Sequence, residues 1–92
     1  MIRKLLPADT ADMAALHKTG FETGWPEGDM ATHIENDIAL GLCGGDALAG
    51  FILIRLSFEQ SEILTITVAQ NYLRQGIGEK LLIAGEAAVR EQ

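Results

Sequence analysis

Short runs of apolar residues, with two different spacings, divide the first part of the chain into elements. Residues 2–6 form a short segment with apolar residues at both ends and are followed by Pro7, which predicts a short first strand. Asp9 or Thr10 can then cap a helix that runs to about Thr19. The pattern therefore begins with a strand and continues with a helix.

The middle of the chain predicts a second helix and a hairpin. The helix would follow Pro26, and its buried side would consist of residues at helical spacing, namely Met30, Ile34 and Ile38. Residues 39–43 and 47–58 are apolar enough for two strands, and Gly-Gly-Asp at 44–46 is typical of a tight hairpin turn. Residues 50–54 would be the buried part of the second strand.

The last part predicts a strand, a polar loop and a helix. Residues 62–68 are rich in Ile, Thr and Val, which favour a strand. A loop over 69–75 leads to Gly-Ile-Gly at 76–78, and apolar residues then follow helical spacing to Val89. The order β-α-α-β-β-β-α predicts an α/β protein of the α+β type, with helices packed on a mainly antiparallel sheet.

Composition limits the kinds of protein that this chain can be. Its 92 residues suffice for one domain, and 48% apolar against 22% charged residues indicates a globular fold. The net charge of −6 argues against nucleic acid or an anionic membrane as partner, because both attract clustered cations. We expect a cytoplasmic protein, since neither a signal peptide nor an apolar stretch of roughly 20 residues is evident.

Cysteine and histidine show no pattern of a metal site. The single cysteine, Cys43, excludes an internal disulfide and a cysteine-only zinc site, and we interpret it as a small apolar side chain in a strand. His17 and His33 stand on predicted helices without a matching set of cysteines or acids. We therefore expect no bound metal and interpret both histidines as surface or hydrogen-bonded side chains.

The clearest candidate chemistry lies in residues 62–82, a strand followed by a Gly-x-Gly turn and a helix. Glycines let the backbone approach a ligand closely, and the first N–H groups of a helix have no acceptor within it. Such a turn suits a phosphate or pyrophosphate, with which Arg74 could pair. The alternative is a helix start whose glycines only permit a tight corner. Neither the P-loop motif nor the complete dinucleotide-binding motif is present.

This segment resembles motif A of the GNAT superfamily of N-acetyltransferases. The resemblance rests on residues 62–82 and extends to Gly-Phe-Ile-Leu-Ile-Arg at 50–55 and to the pair Phe21 and Trp25. It is greatest for the RimI-type branch, which acetylates the N-terminal amine of a ribosomal protein. The predicted order β-α-α-β-β-β-α also resembles the N-terminal half of a GNAT fold.

The resemblance implies roles for ten residues. In the family, the backbone at the end of this strand pairs with the pantetheine arm of acetyl-CoA, a role that falls here on Ile66, Thr67 and Val68. The loop and helix start hold the pyrophosphate, a role that falls on Arg74, Gln75, Gly76, Ile77, Gly78 and Glu79. Some relatives use a glutamate fourteen residues before the first motif glycine as general base, and Glu62 has that spacing. The alternative for Glu62 is a solvated carboxylate at a strand end.

The chain departs from the family pattern in three ways. Leu73 occupies the position where the family has Gln or Arg, so one polar contact with the substrate is missing or made by Arg74. Glu79 stands where relatives often carry a cation, and a carboxylate near a pyrophosphate should weaken binding somewhat. The chain is also shorter than usual members, so residues 1–92 are expected to form one domain without the later strands and helix.

Without those later strands, residues 62–68 would form an exposed sheet edge that has no charge after Glu62 and no proline. We therefore expect a homo-oligomer, for example a dimer. Two hypotheses result, an acetyl-CoA-dependent N-acetyltransferase acting on a primary amine such as a protein N-terminus, and an inactive module that self-associates through this edge. Phe21 and Trp25 could pack internally or line the acceptor site, and Tyr72 could cover the cofactor loop or lie on the surface.

Overall fold

A computed structural model describes residues 2–20, 24–45, 47–58 and 60–91, and within them the chain forms the predicted order of elements. The earlier interpretation of Phe21 falls outside these residues. Two short 3-10 turns occur at Pro7–Asp9 and Gln70–Tyr72. The strands and helices are β1 (Ile2–Lys4), α1 (Thr10–Gly20), α2 (Glu27–Asn36), β2 (Ile38–Gly44), β3 (Ala47–Leu56), β4 (Ser61–Val68) and α3 (Ile77–Arg90).

The four strands form one antiparallel sheet in the order β1-β2-β3-β4, so β4 lies at an edge. Gly45 has φ +70° at the turn between β2 and β3, which confirms the predicted hairpin there. The pairing of β3 with β4 shifts register between Leu53 and Ile54, which leaves Leu64 of β4 as an extra residue. The fold is thus the expected α+β arrangement with a mainly antiparallel sheet.

Several boundaries differ from the sequence prediction, and the largest differences are at α2, β1 and β3. Ile38 is the first residue of β2 and pairs with Ile54, although its spacing from Ile34 is helical. As a strand residue, Ile38 packs against the core beneath α3. Tertiary packing of this kind outweighs local periodicity. The first strand ends at Lys4 instead of residue 6. The strand predicted over 47–58 ends at Leu56, and Phe58 is fully exposed in the turn that follows.

Asp9 connects the first strand to the first helix. Its carboxylate accepts two hydrogen bonds from the Arg3 guanidinium, at 2.8 and 2.9 Å, and one from the N–H of Leu6 at 2.7 Å. The hydrogen bonds from Arg3 are the main cause that lowers the pKa of Asp9 to about 2. Of the two predicted cap residues, Asp9 therefore fixes the turn, and Thr10 begins α1.

The sheet buries a different core on each face. Helices α1 and α2 cover one face, and α3 covers the other. The first core consists of Leu5, Met13, Met30, Ala39, Phe51 and Leu53. The second consists of Ala49, Ile52, Ile54, Ile77 and Leu81. Glycine at 85 lets α3 approach the sheet closely, because a Cβ there would lie 2.7 Å from Ile54 Cδ1.

His17 is a core residue on the α1 face rather than a surface side chain. It is 2% exposed, and its ring stacks on Trp25 with a centroid distance of 4.6 Å. Its Nδ1 accepts a hydrogen bond from the backbone N–H of Trp25 at 3.2 Å, and this contact requires the neutral form of the ring. Burial lowers the pKa of His17. Trp25 is thus a half-buried side chain that packs against the core beneath α1.

We expect the free energy of unfolding to fall as the pH drops below the unfolded-state histidine pKa of about 6.5. The folded-state pKa of His17 is lowered, so the unfolded chain binds this proton first and gains stability relative to the fold. Urea denaturation at a series of pH values measures the slope. In His17→Asn, whose amide oxygen can accept the Trp25 N–H, the slope between pH 7 and 5 should be smaller. Equal slopes in the two proteins would contradict the assignment.

Candidate functional site

The start of α3 presents backbone N–H groups at the end of a left-handed turn. Gly76 is the residue before the helix and has φ +74°, and Arg74 also has a positive φ of +66°. Such a conformation is uncommon for a residue with a side chain. The first N–H groups of an α-helix have no acceptor within it, and the helix dipole favours an anion near them. Arg74, Gln75 and Glu79 are exposed around this turn.

The outer edge of β4 carries a second row of backbone groups. Among the described residues, β4 pairs with β3 alone, and the Ala69 N–H donates to the Ala49 carbonyl oxygen at 2.7 Å. Hydrogen-bonded positions alternate along an antiparallel pair, so Thr67 also directs its peptide groups to β3. The N–H and C=O groups of Ile66 and Val68 consequently point away from β3, to the open edge.

Gly78 brings the helix start and the strand edge together. A Cβ at this position would lie 3.9 Å from Val68 Cγ2 and 4.0 Å from Ile66 Cγ2. A side chain at position 78 would therefore begin in contact with Val68 and Ile66, between α3 and β4. The N–H groups at the start of α3 and the outward groups of β4 form one continuous surface, which we call the β4–α3 cradle (Ile66, Val68, Gly76, Ile77 and Gly78).

Tyr72 holds the loop between β4 and α3 in place. Its phenol packs against Gly44 of the β2–β3 hairpin so closely that a Cβ at Gly44 would overlap the hydroxyl group. The ring is half-buried and contacts the core beneath α3. Of the two roles considered for Tyr72, the structure thus supports neither a free surface position nor a cover over the loop, since the side chain anchors the loop from below.

The side chains of Thr65 and Thr67 lie on the opposite face of β4 from α3. Both are buried, and their hydroxyl groups lie 3.1 Å apart at hydrogen-bonding distance. Thr67, one of the predicted binding residues, therefore directs its side chain to the α1 side and its peptide groups to β3. The predicted residues that meet at the open cradle are Ile66, Val68 and those at the start of α3.

Glu62 lies at the far end of β4, in a row of charged residues. It is exposed, and it pairs across the strands with Arg55. Directly opposed residues have Cβ atoms about 5 Å apart. The Nε of Arg55 lies 3.8 Å from Asp37 Oδ1, and Oδ2 of Asp37 lies 2.7 Å from His33 Nδ1. Glu62 is four residues from Ile66, or about 13 Å along a strand, so it stands beyond one end of the cradle.

The sequence patterns did not identify Asp37, Arg55 and His33 as neighbours of Glu62. In the sequence, Arg55 was only the last residue of the segment 50–55 that resembles the family, and His33 had no matching set of cysteines or acids. The ring of His33 also lies 5.2 Å from that of Trp25. The connection depends on register, because Ile38 pairs with Ile54 and so brings Asp37 beside Arg55. Among the residues that the structure describes, no group of three His, Cys, Asp or Glu side chains could hold a metal ion.

A family model and solved structures both match the chain. The model of the acetyltransferase (GNAT) family matches residues 10–92. A search of curated proteins gives no match. Within the residues described above, no helix has the length and apolar character required to cross a bilayer.

The fold is similar to that of several acetyltransferases of known structure. The ribosomal-protein-S18-alanine N-acetyltransferase of Escherichia coli superposes with a TM-score of 0.82 at 22% identity, covering 91% of this chain and 55% of that one. PaiA N-acetyltransferase of Thermoplasma acidophilum, in complex with coenzyme A, superposes with a TM-score of 0.87 at 18% identity. The match covers 99% of this chain and 72% of that one. N-acetylglutamate synthase of Neisseria gonorrhoeae, complexed with coenzyme A and N-acetyl-glutamate, superposes with a TM-score of 0.87 at 23% identity. The match covers 99% of this chain and 22% of that one.

This chain spans about half the length of the E. coli enzyme. At identities of 18–23%, the likeness to these structures establishes the fold. The family model matches far more than half of the sequence, including the strand, turn and helix of the cradle. The chain therefore belongs to the GNAT acetyltransferase family.

Proposed function

We propose that this chain is an N-acetyltransferase domain that takes an acetyl group from acetyl-CoA and transfers it to a primary amine, in the first place a protein N-terminus. The observation that carries the proposal is the β4–α3 cradle, in which outward peptide groups of a strand edge continue into free N–H groups of a helix. A Cβ at Gly78 would lie 3.9 Å from Val68 Cγ2 and 4.0 Å from Ile66 Cγ2, so the start of α3 lies beside β4. We interpret residues 1–92 as the N-terminal half of a GNAT domain, which agrees with their coverage of 55% of the E. coli enzyme.

The two parts of the cradle suit the two parts of acetyl-CoA. Pantetheine contains amides, which can pair with the outward N–H and C=O groups of Ile66 and Val68 as another strand would. A pyrophosphate suits the N–H groups of Gly76, Ile77 and Gly78 at the helix start. Arg74 adds a positive charge beside the turn, and the negative charge of Glu79 offsets it. Binding of the pyrophosphate would therefore depend mainly on the backbone N–H donors. Gln75 lies beside the proposed pyrophosphate site without a specific role assigned to its side chain. Thr67 contributes by packing beneath β4 and makes no direct contact with acetyl-CoA in this proposal.

The proposed reaction is a direct attack of the amine on the thioester carbonyl carbon. Glu62 would act as general base and accept the proton that the ammonium group must lose before its nitrogen can attack. An outward N–H of β4 would donate to the thioester oxygen, where negative charge develops as the C–N bond forms. The C–S bond then breaks, and the sulfur leaves as thiolate that takes up a proton. No covalent enzyme intermediate is required.

Charge supports a basic acceptor. The chain carries a net charge of −6, which attracts a cationic peptide over long range. Glu62 and Asp37 contribute two carboxylates at the end of the sheet beyond the cradle, with Arg55 between them. We accordingly propose a RimI-like preference for a basic protein N-terminus, with neither nucleic acid nor membrane as partner. The free thiol of Cys43 suits a reducing compartment, and we propose a cytoplasmic location.

Thermal unfolding in the presence of acetyl-CoA tests the proposal. A ligand at 100 times its dissociation constant should stabilise the fold by about 2.7 kcal/mol, which moves the midpoint of a domain this size by several degrees. Acetyl-pantetheine lacks the pyrophosphate and is expected to bind much more weakly. A basic peptide with a free N-terminus then provides the acceptor, with release of free thiol as the readout. No shift at millimolar acetyl-CoA would overturn the proposal.

A second candidate function is a self-associating module without catalytic activity. The observation that favours it is the open edge of β4, which is uncharged from Ile63 to Val68 and contains no proline. Ile63 is 47% exposed beside this edge. Edges of this kind invite pairing with another strand, so we propose a homo-oligomer in solution, a dimer being the simplest closed form.

A further inference from the structure

We propose that two copies of the chain pair through β4 about a two-fold axis, and that this pairing and acetyl-CoA binding exclude each other. The inference rests on the proposed function, because it assigns the edge of β4 to acetyl-CoA as well. It adds a second copy of the chain as an alternative partner for the outward peptide groups of Ile66 and Val68. The monomer would then be the form that binds acetyl-CoA, and the dimer would be the form that cannot.

A second copy fits this edge because β4 is complementary to itself when antiparallel. The eight residues of β4 include an uncharged run over 63–68, and Ile66 and Val68 offer donors and acceptors at the spacing of another strand. A groove of about 210 Å³ accompanies the edge on the α3 side. Its apolar walls come from Ile54, Ile63, Leu82 and Val89, and Ser61, Glu86 and Arg90 supply its polar lining. A two-fold pairing would cover apolar surface of both copies at once.

The direction of α3 adds charge complementarity to the pairing. Gly78, near the start of α3, lies against Val68, whereas Val89, near its end, shares a groove with Ser61. The helix therefore runs antiparallel to β4. A two-fold axis through the middle of β4 places the start of each α3 beside the end of the other. Glu79 of one copy would then face Arg90 of the second, and the pair would occur twice.

Exclusion follows from the direction of the peptide groups. Along the C-terminal part of β4, alternate residues face β3, so only Ile66 and Val68 offer free groups to any partner. A paired strand would use these groups and would occupy the space over Gly78 that a pantetheine chain needs. Because acetyl-CoA binds only the monomer, acetyl-CoA weakens dimerisation, and dimerisation weakens acetyl-CoA binding by the same factor.

Sedimentation velocity at increasing protein concentration, with and without acetyl-CoA, tests the inference. We expect dimers without ligand and monomers with saturating acetyl-CoA. When dimer predominates, the apparent dissociation constant for acetyl-CoA, measured by calorimetry, should be about tenfold higher than in dilute protein. Ile63→Lys places a charge at the edge and should give a monomer that binds acetyl-CoA with no dependence on protein concentration. Ile83→Lys is the control, because Ile83 is also exposed but lies away from β4.

Each further result has one meaning. A wild-type protein that stays monomeric up to its solubility limit would overturn the pairing. Dimers that persist when calorimetry shows acetyl-CoA bound would overturn the exclusion while leaving the proposed function intact. If monomeric Ile63→Lys binds no acetyl-CoA, the proposed function fails and the exclusion fails with it. Dissociation of the wild type by acetyl-CoA, together with monomeric Ile63→Lys and dimeric Ile83→Lys, would support the inference.

Discussion

Replacement of Gly78 by glutamate is expected to weaken acetyl-CoA binding by at least about a hundredfold while leaving the fold intact. A side chain at this position begins 3.9 Å from Val68 Cγ2 and so enters the cradle between α3 and β4. Its carboxylate would also stand among the N–H groups that are proposed to hold the pyrophosphate, and like charges at close range repel. Titration calorimetry with acetyl-CoA measures the loss.

The matched control is Gly28→Glu, which makes the same chemical change in the first turn of α2. A Cβ at Gly28 meets no atom within 4 Å, and a carboxylate is favourable near a helix start. This variant should bind acetyl-CoA as the wild type does. Urea denaturation should give both variants a stability equal to or slightly above wild type, since glycine disfavours helix. Undiminished binding by Gly78→Glu would exclude the cradle as the binding site.

Replacement of Phe51 by alanine is expected to remove most of the stability of the domain. Phe51 is among the largest fully buried side chains, and it lies in the centre of β3 beneath α1. Truncation of a buried phenylalanine costs about 3–5 kcal/mol, whereas small domains have total stabilities of about 5–15 kcal/mol. The ring of His17 lies 6.4 Å from that of Phe51 and would lose part of its contact surface.

Phe58→Ala provides the comparison for this loss, because it is the same substitution at a fully exposed side chain. Its unfolding free energy should lie within about 0.5 kcal/mol of the wild type. Circular dichroism during urea denaturation measures both variants. A Phe51→Ala protein that unfolds at the wild-type urea concentration would show that this core contributes little to the stability of the domain.

Local sequence patterns were sufficient for the parts of the fold that depend on neighbouring residues. The β4 strand, the turn at Gly76 and the helix behind it are contiguous, so apolar spacing and glycine position predict them together. The confirmed hairpin at Gly45 has the same origin. Ile38 was assigned to the wrong element because its spacing fits a helix, and only its pairing with Ile54 identifies it as a strand residue.

The surroundings of the candidate site depend on contacts between distant residues, which no local pattern contains. Tyr72 reaches Gly44 across 28 positions of sequence, and the row from Glu62 to Asp37 exists only through the register of three strands. The direction of the peptide groups at Ile66 and Val68 likewise follows from pairing with β3. A motif can therefore indicate the segment that binds a ligand without showing which of its atoms are available.

The extra residue in β4 determines which way Glu62 faces. Thr65 and Glu62 are three positions apart, an odd number that would place them on opposite faces of a regular strand. Because Leu64 is inserted between them, both lie on the face covered by α1 and α2. A gene that lost this one codon would encode the same motif, yet its glutamate would point toward α3. Comparison of relatives by conserved letters alone would overlook that reversal, whereas a count of residues between Glu62 and Gly76 would detect it.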